Sequence, residues 1–286
     1  MTNTYTQEER ELLIAAGMLQ ADHAKGLPQL KINGNSEEED YNGNPIAFGS
    51  YYVQGLDEAT ENYKGYCAKE IQFRPVAIYN RILLRDAGDG FKQKGRTVYY
   101  KQGELAYDTQ GTYAFNRPSS KKLMDLPQAE AAAIRGTMPY QMCIFGEATF
   151  PKIGKVLVEF QATKTKMSAF MDYFKVLKKE RVGDASQFTI KMTLKKEKNG
   201  ATVYYVPILE GDTKTKLSFL DIKDSLYKVL DTVKAHNEGV LKKHHEALGP
   251  LLPSNQVAAL TNVPANIEED ELAELDEDLL DDELPY

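Results

Sequence analysis

The chain has 286 residues, a formal net charge of −7, 42% hydrophobic residues and 10% aromatics. That length holds one large domain or two small ones, and the apolar content excludes a wholly disordered polymer. No apolar run approaches the roughly 20 residues of a membrane-spanning helix, the first ten residues lack the basic patch and apolar core of a secretion signal, and two cysteines, Cys67 and Cys143, suit a reducing compartment. The expectation is a soluble, cytoplasmic protein with no membrane partner.

In chain order, residues 6–24 have helical composition, with Leu12, Leu13, Ala16 and Leu19 forming a stripe. Gly26-Leu-Pro breaks it, and Leu30-Lys-Ile-Asn reads as a short strand. Residues 36–44 are acidic and rich in Gly and Asn, hence a loop. From Gly49 to Phe115 the pattern turns to β, with separate strands at Ser50-Tyr-Tyr-Val-Gln, Ile71-Gln-Phe, Val76-Ala-Ile-Tyr and Thr97-Val-Tyr-Tyr. An Ala-rich helix is expected at 123–135, then strands at 140–149 and 156–162.

Ser168 is the expected N-cap of a helix at 168–181, with Phe170, Tyr173, Phe174 and Leu177 as its core stripe and Gly183 closing it. Two strands follow, 187–194 and 202–209, with Asn199-Gly200 as the hairpin turn signal. Residues 219–248 read as a helix, with a break possible at Gly239. The expected class is α+β, mainly β: an OB-like Greek-key barrel with added helices. It fills a domain at 1–250, followed by an uncharged, Pro-containing linker at 251–266 and an acidic, disordered tail at 267–286.

The charge is partitioned. Residues 267–286 hold eleven acids and no Lys or Arg, leaving 35 basic against 31 acidic residues, a net of +4, in the first 266. Within the body, nine basic residues and seven aromatics stand against three acids between Tyr63 and Lys101. Twelve basic residues stand against five acids between Lys152 and Lys198. Cations follow a phosphate backbone and ring faces stack on bases, each worth about 1–3 kcal/mol, so the mixture suits a single-stranded nucleic acid.

The residues singled out for contact are Tyr63, Lys64, Tyr66, Arg74, Phe91, Lys92, Lys94, Arg96 and Tyr100. Phe91-Lys-Gln-Lys-Gly-Arg is expected as a flexible basic loop. Of the adjacent Tyr99 and Tyr100, one should face the core and one the solvent. No phosphate loop, dinucleotide fingerprint or nucleophile elbow is present, and the four His and two Cys lack metal-ligand spacing. The reading is therefore non-enzymatic, with no cofactor, no metal and no catalytic residue.

The sequence ends Asp281-Asp282-Glu283-Leu284-Pro285-Tyr286. This tip resembles that of bacterial single-stranded DNA-binding proteins, which finish Asp-Asp-Asp-Ile-Pro-Phe; phage replication proteins of this kind also tend to end in an acidic run and an aromatic. Asp281, Asp282 and Pro285 are identical, Glu283 keeps the charge, Leu284 the aliphatic and Tyr286 the ring. The matched tip is six residues, and the Trp on which that family commonly stacks bases is absent here. The resemblance implies a phage-type protein of the bacterial host cytoplasm that coats single-stranded DNA. It implies a tail that recruits a polymerase, helicase or primase, recombinase or nuclease in replication, recombination and repair, and that competes with DNA for the protein's own groove. An alternative is an interaction module whose acidic tail mimics DNA and blocks a nucleic-acid enzyme.

Overall fold

The computed structural model describes residues 26–34, 37–40, 43–54, 66–90, 92–101, 104–111, 125–151, 154–180, 183–211 and 215–248. The expected helix at 6–24, the linker and the acidic tail lie outside them. The described part is mixed α and β, mostly sheet: β1 (Gln29–Asn33), β2 (Ser50–Gln54), β3 (Cys67–Ala68), β4 (Ile71–Asp86), β5 (Lys92–Arg96), β6 (Tyr140–Phe150), β7 (Gly154–Ala162), β8 (Ile190–Asn199) and β9 (Thr202–Gly211). The helices are α1 (Gln128–Thr137), α2 (Thr165–Glu180) and α3 (Lys223–Leu248).

The strands form one unclosed sheet in the order β3-β2-β1-β7-β6-β4-β8-β9, with β5 added to β4. Every pairing is antiparallel except β1 with β7. The sheet rolls up strongly. Tyr51 on β2 donates its hydroxyl to the Thr193 carbonyl of β8 at 3.1 Å, although four strands separate them in the order. Alternation along the strands gives two apolar faces. One packs on α2 through Phe73, Ile144, Phe160 and Ile190 against Phe170, Tyr173 and Leu177. The other packs on α3 and the turn before it through Tyr79, Cys143 and Phe145 against Ile222, Val229 and Val233.

Several local expectations are corrected. The two short strands at Ile71 and Val76 are one strand of 16 residues. Pro75 lacks an N–H and would interrupt a regular ladder, but the register with β6 shifts between Pro75 and Ala77, so the proline sits in a bulge. Residues 97–100 form isolated bridges rather than a strand. Ser168 is not an N-cap: α2 begins at Thr165, and Ser168 lies inside it. Gly239 does not break α3, which runs 26 residues without interruption. The hairpin turn is as expected, except that Gly200, at φ 57°, opens a two-residue connection while Asn199 pairs with Thr202.

Gly146 faces Pro75 across the bulge. A Cβ there would press on the Phe73 ring and stand 2.6 Å from the Arg74 carbonyl oxygen. Gly146→Ala is therefore expected to cost about 1–3 kcal/mol through overpacking, read as a lower urea midpoint at unchanged slope. An unchanged midpoint would mean that the bulge yields without strain.

Candidate nucleic-acid interface

The contact residues read from the sequence fall into separate places. Tyr63, Lys64 and Phe91 lie outside the described residues. Lys92, Lys94 and Arg96 are exposed and stand together on β5. This segment is a strand rather than the expected loop, because its backbone pairs with residues 83–86 of β4. Between Leu84 and Arg85 the register skips Lys94, which is the extra residue of a bulge. The β4–β5 hairpin therefore presents three cations on a backbone fixed at its base.

Tyr99 is core, as alternation allows, whereas Tyr100 does not face the solvent freely: it is half-buried between the clusters of Ile82 and Val98. The backbone of Tyr100 exchanges two hydrogen bonds with Asn80, at 2.7 and 3.0 Å, which places its ring on the β5 half of β4.

Arg74 requires correction. It is 5% exposed, its Nε donates to the Ser186 carbonyl and its Nη2 to the Ser218 carbonyl, both at 2.7 Å, and its Nη1 lies 3.6 Å from Asp221. Its guanidinium ties β4 to the turns that precede β8 and α3. It is a structural residue, withdrawn from any phosphate.

Tyr66 lies at the opposite end of β4. It is half-buried and borders a cavity of about 360 Å³, shared with Asp40, Cys67, Lys69, Glu70 and Phe150. Lys191 on β8 reaches Glu70 at 3.0 Å, so the β8–β9 hairpin leaves the sheet from this end. Its exposed lysines, Lys195, Lys196 and Lys198, were not singled out in the sequence, where Lys-Lys-Glu-Lys-Asn-Gly reads first as a turn. Half-buried Tyr204 and Tyr205 lie opposite them, paired with Glu197 and Lys196. The Tyr205 ring packs on Gly49, whose φ of 71° and missing side chain make room for it. The signal available beforehand was charge density flanking a two-residue turn.

Two groups of three exposed cations thus stand on separate hairpins rather than lining one cleft, and further exposed lysines lie on the helices, among them Lys178, Lys179, Lys242 and Lys243. From Ile71 to Leu83 the hairpins are separated by 12 residues of β4, about 40 Å of strand at its usual rise.

Beneath α3 lies a buried polar cluster. Arg81 donates to the Gln141 Oε1 from Nε and Nη2 at 3.2 and 2.9 Å, and to the Tyr99 hydroxyl at 3.0 Å. Tyr99 donates to the Glu159 Oε1 at 2.9 Å, and Gln161 to the Glu159 Oε2 at 3.1 Å. Burial, and then the Glu159 charge, push the Tyr99 and Cys143 groups upward, so both stay protonated. The cluster is saturated by its own members and offers no open position to a substrate.

Among the described residues no group of three or more His, Cys, Asp and Glu could hold a metal ion, and no helix is long and apolar enough to cross a membrane. The chain matches no family model, no curated protein and no solved structure.

Proposed function

We propose that this protein binds single-stranded DNA without sequence preference, acts without catalysis, and recruits replication or recombination proteins through residues 267–286. The observation that carries the reading is the pair of cationic hairpins on one curled sheet, with Lys92, Lys94 and Arg96 on one and Lys195, Lys196 and Lys198 on the other. Tyrosines accompany both. In electrostatic terms a polyanion crossing from one hairpin to the other would gain at each end, while rings between the cations would stack on bases of any identity.

An OB-like reading of the sheet belongs to the same proposal. The sequence of antiparallel β4, β6 and β7, the helix α2, and then the β8–β9 hairpin returning to β4 supports it. That is the order of a five-stranded Greek-key barrel left partly open. β1 occupies the edge of β7 beside which a closing strand would lie.

The test is a titration of tyrosine emission with oligo-dT at several salt concentrations. The wild type should bind dT more tightly than duplex, with a log-affinity slope against log salt of about −0.7 per phosphate neutralised. Replacing Lys92, Lys94 and Arg96 together by Gln should lower that slope by about 2, and the Lys195, Lys196 and Lys198 triple should do the same. Equal affinity for duplex, or no change in slope in either triple variant, overturns the reading.

A further inference from the structure

The first two turns of α3 and the short turn before it carry an unusual surface. Phe219, Leu220, Tyr227 and Leu230 are 55, 75, 49 and 42% exposed. Helix geometry explains why they are not in the core. Val229, Val233 and Val240 hold the buried line of α3 against the sheet. At 100° per residue, Lys223, Tyr227, Leu230 and Lys234 form a second line about 100–160° around from Val229. The Lys223 ammonium stands 5.8 Å from the centre of the Tyr227 ring. Of the acids of this stretch, Asp221 is paired with Arg74 at 3.6 Å, and Asp224 and Asp231 lie a further 40–120° round the helix. The flank is thus an apolar ridge framed by cations.

We infer that this ridge is the docking site of the chain's own last residues, Leu284-Pro285-Tyr286, held by the ridge's apolar side chains, with the acidic run before them lying along Lys223 and Lys234. The chemistry is complementary: eleven acids precede or adjoin an aliphatic, a proline and an aromatic, and the ridge pairs two cations with a leucine pair and two rings. The connection also fits. From Leu248 back to Tyr227 is 21 residues of helix, about 32 Å. From Leu248 forward to Leu284 is 36 residues, whose contour length of about 120 Å exceeds that distance. A tether long enough to bridge the distance makes the docking intramolecular, at an effective concentration on the order of 1 mM. Even a contact with a dissociation constant of about 0.1 mM would then be about nine-tenths occupied. The ridge shares no residue with either cationic hairpin, so the tip would be held in reserve without occupying the proposed DNA contacts.

The chain contains no Trp, so Tyr286→Trp places a single indole at the tip of the full-length protein, excited selectively at wavelengths where tyrosine does not absorb. At low salt its emission should be blue-shifted, and its acrylamide quenching should fall to about a third or less of that of a peptide spanning 267–286 with the same substitution, as nine-tenths occupancy implies. Tyr227→Ser with Leu230→Glu changes only exposed side chains and should restore peptide-like quenching with an unaltered circular dichroism spectrum. Oligo-dT should leave the protection in place. The inference is overturned if the tip is quenched like the peptide in the intact chain or if the ridge variant leaves its protection unchanged. Release by oligo-dT would overturn it too, by placing the tip on the DNA contacts, and protection that grows with protein concentration would do so by assigning the ridge to the tail of a second copy. The quenching itself needs no nucleic acid, so this inference and the DNA-binding reading fail separately.

Discussion

Arg81→Met should destabilise the protein by about 3–5 kcal/mol, the range for removing one partner of a buried ion pair and leaving the other charge behind. The side chains of Arg81 and Glu159 are 6 and 7% exposed, and the Arg81 Nη2 lies 3.7 Å from the Glu159 Oε1. The loss spreads beyond one contact. Arg81 also holds Gln141 on the neighbouring strand and the hydroxyl of Tyr99, which in turn donates to Glu159. Once the cation is removed, the carboxylate keeps only neutral donors from Tyr99 and Gln161. Arg81→Met with Glu159→Leu removes both charges and should recover a large part of the loss, because well-packed apolar replacements of buried pairs are often close to neutral. Chemical denaturation of the four species of this cycle checks it. A single variant within about 0.5 kcal/mol of wild type would mean that water already reaches the carboxylate.

The same cluster explains what was legible in the sequence and what was not. β1, β2, β6, β7 and the β8–β9 hairpin announce themselves by β-branched and aromatic alternation, and α2 by its Phe170–Tyr173–Leu177 stripe. All of these are local patterns. Residues 97–100 carry the same alternation and are not a strand, because the ladder partners come from elsewhere. The Tyr99 N–H donates to the Asn237 Oδ1 at 2.7 Å, and the Asn237 Nδ2 donates back to the Tyr99 carbonyl at 2.9 Å. At Tyr99 one side-chain amide, 138 residues away, takes the place of a neighbouring strand.

The candidate site divides in the same way. Arg74 and Lys94 look alike in sequence, both being cations among aromatics. Their fates differ because Arg74 finds carbonyl partners 112 and 144 residues away, whereas Lys94 is expelled by a bulge two residues from the end of its strand. Exposure of a cation depends on such distant partners, and a local window contains none of them. The ridge on α3 was hidden for a related reason. Leu226, Val229 and Val233 satisfy the sheet, so the nearby Tyr227 and Leu230 are surplus, and periodicity alone marks all five as core.

Acid should loosen α3 before it unfolds the sheet. His236 lies against the Tyr99 ring, with centroids 4.3 Å apart, and its Nε2–H donates to the Thr97 carbonyl at 3.1 Å. Burial lowers its pKa from the usual 6.5 to about 4, with Arg96 and Arg81 adding to the same direction against the opposing hydrogen bond. The folded form therefore holds His236 neutral where an unfolded chain would protonate it, and stability is fully present above pH 6.5. As the pH falls from 6.5 towards 4 the unfolded state binds the extra proton and folding weakens, by about 3 kcal/mol once the folded pKa is passed. His236→Gln can keep an amide N–H for Thr97 but does not titrate. Between pH 7 and pH 4 the wild type should lose about 2–3 kcal/mol more than this variant, measured by urea denaturation. Hydrogen exchange should show the earliest loss of protection across the C-terminal half of α3, where Asn237 and His244 also clasp the 97–108 segment. If both proteins lose stability in parallel, the acid sensitivity belongs to the carboxylates rather than to this imidazole.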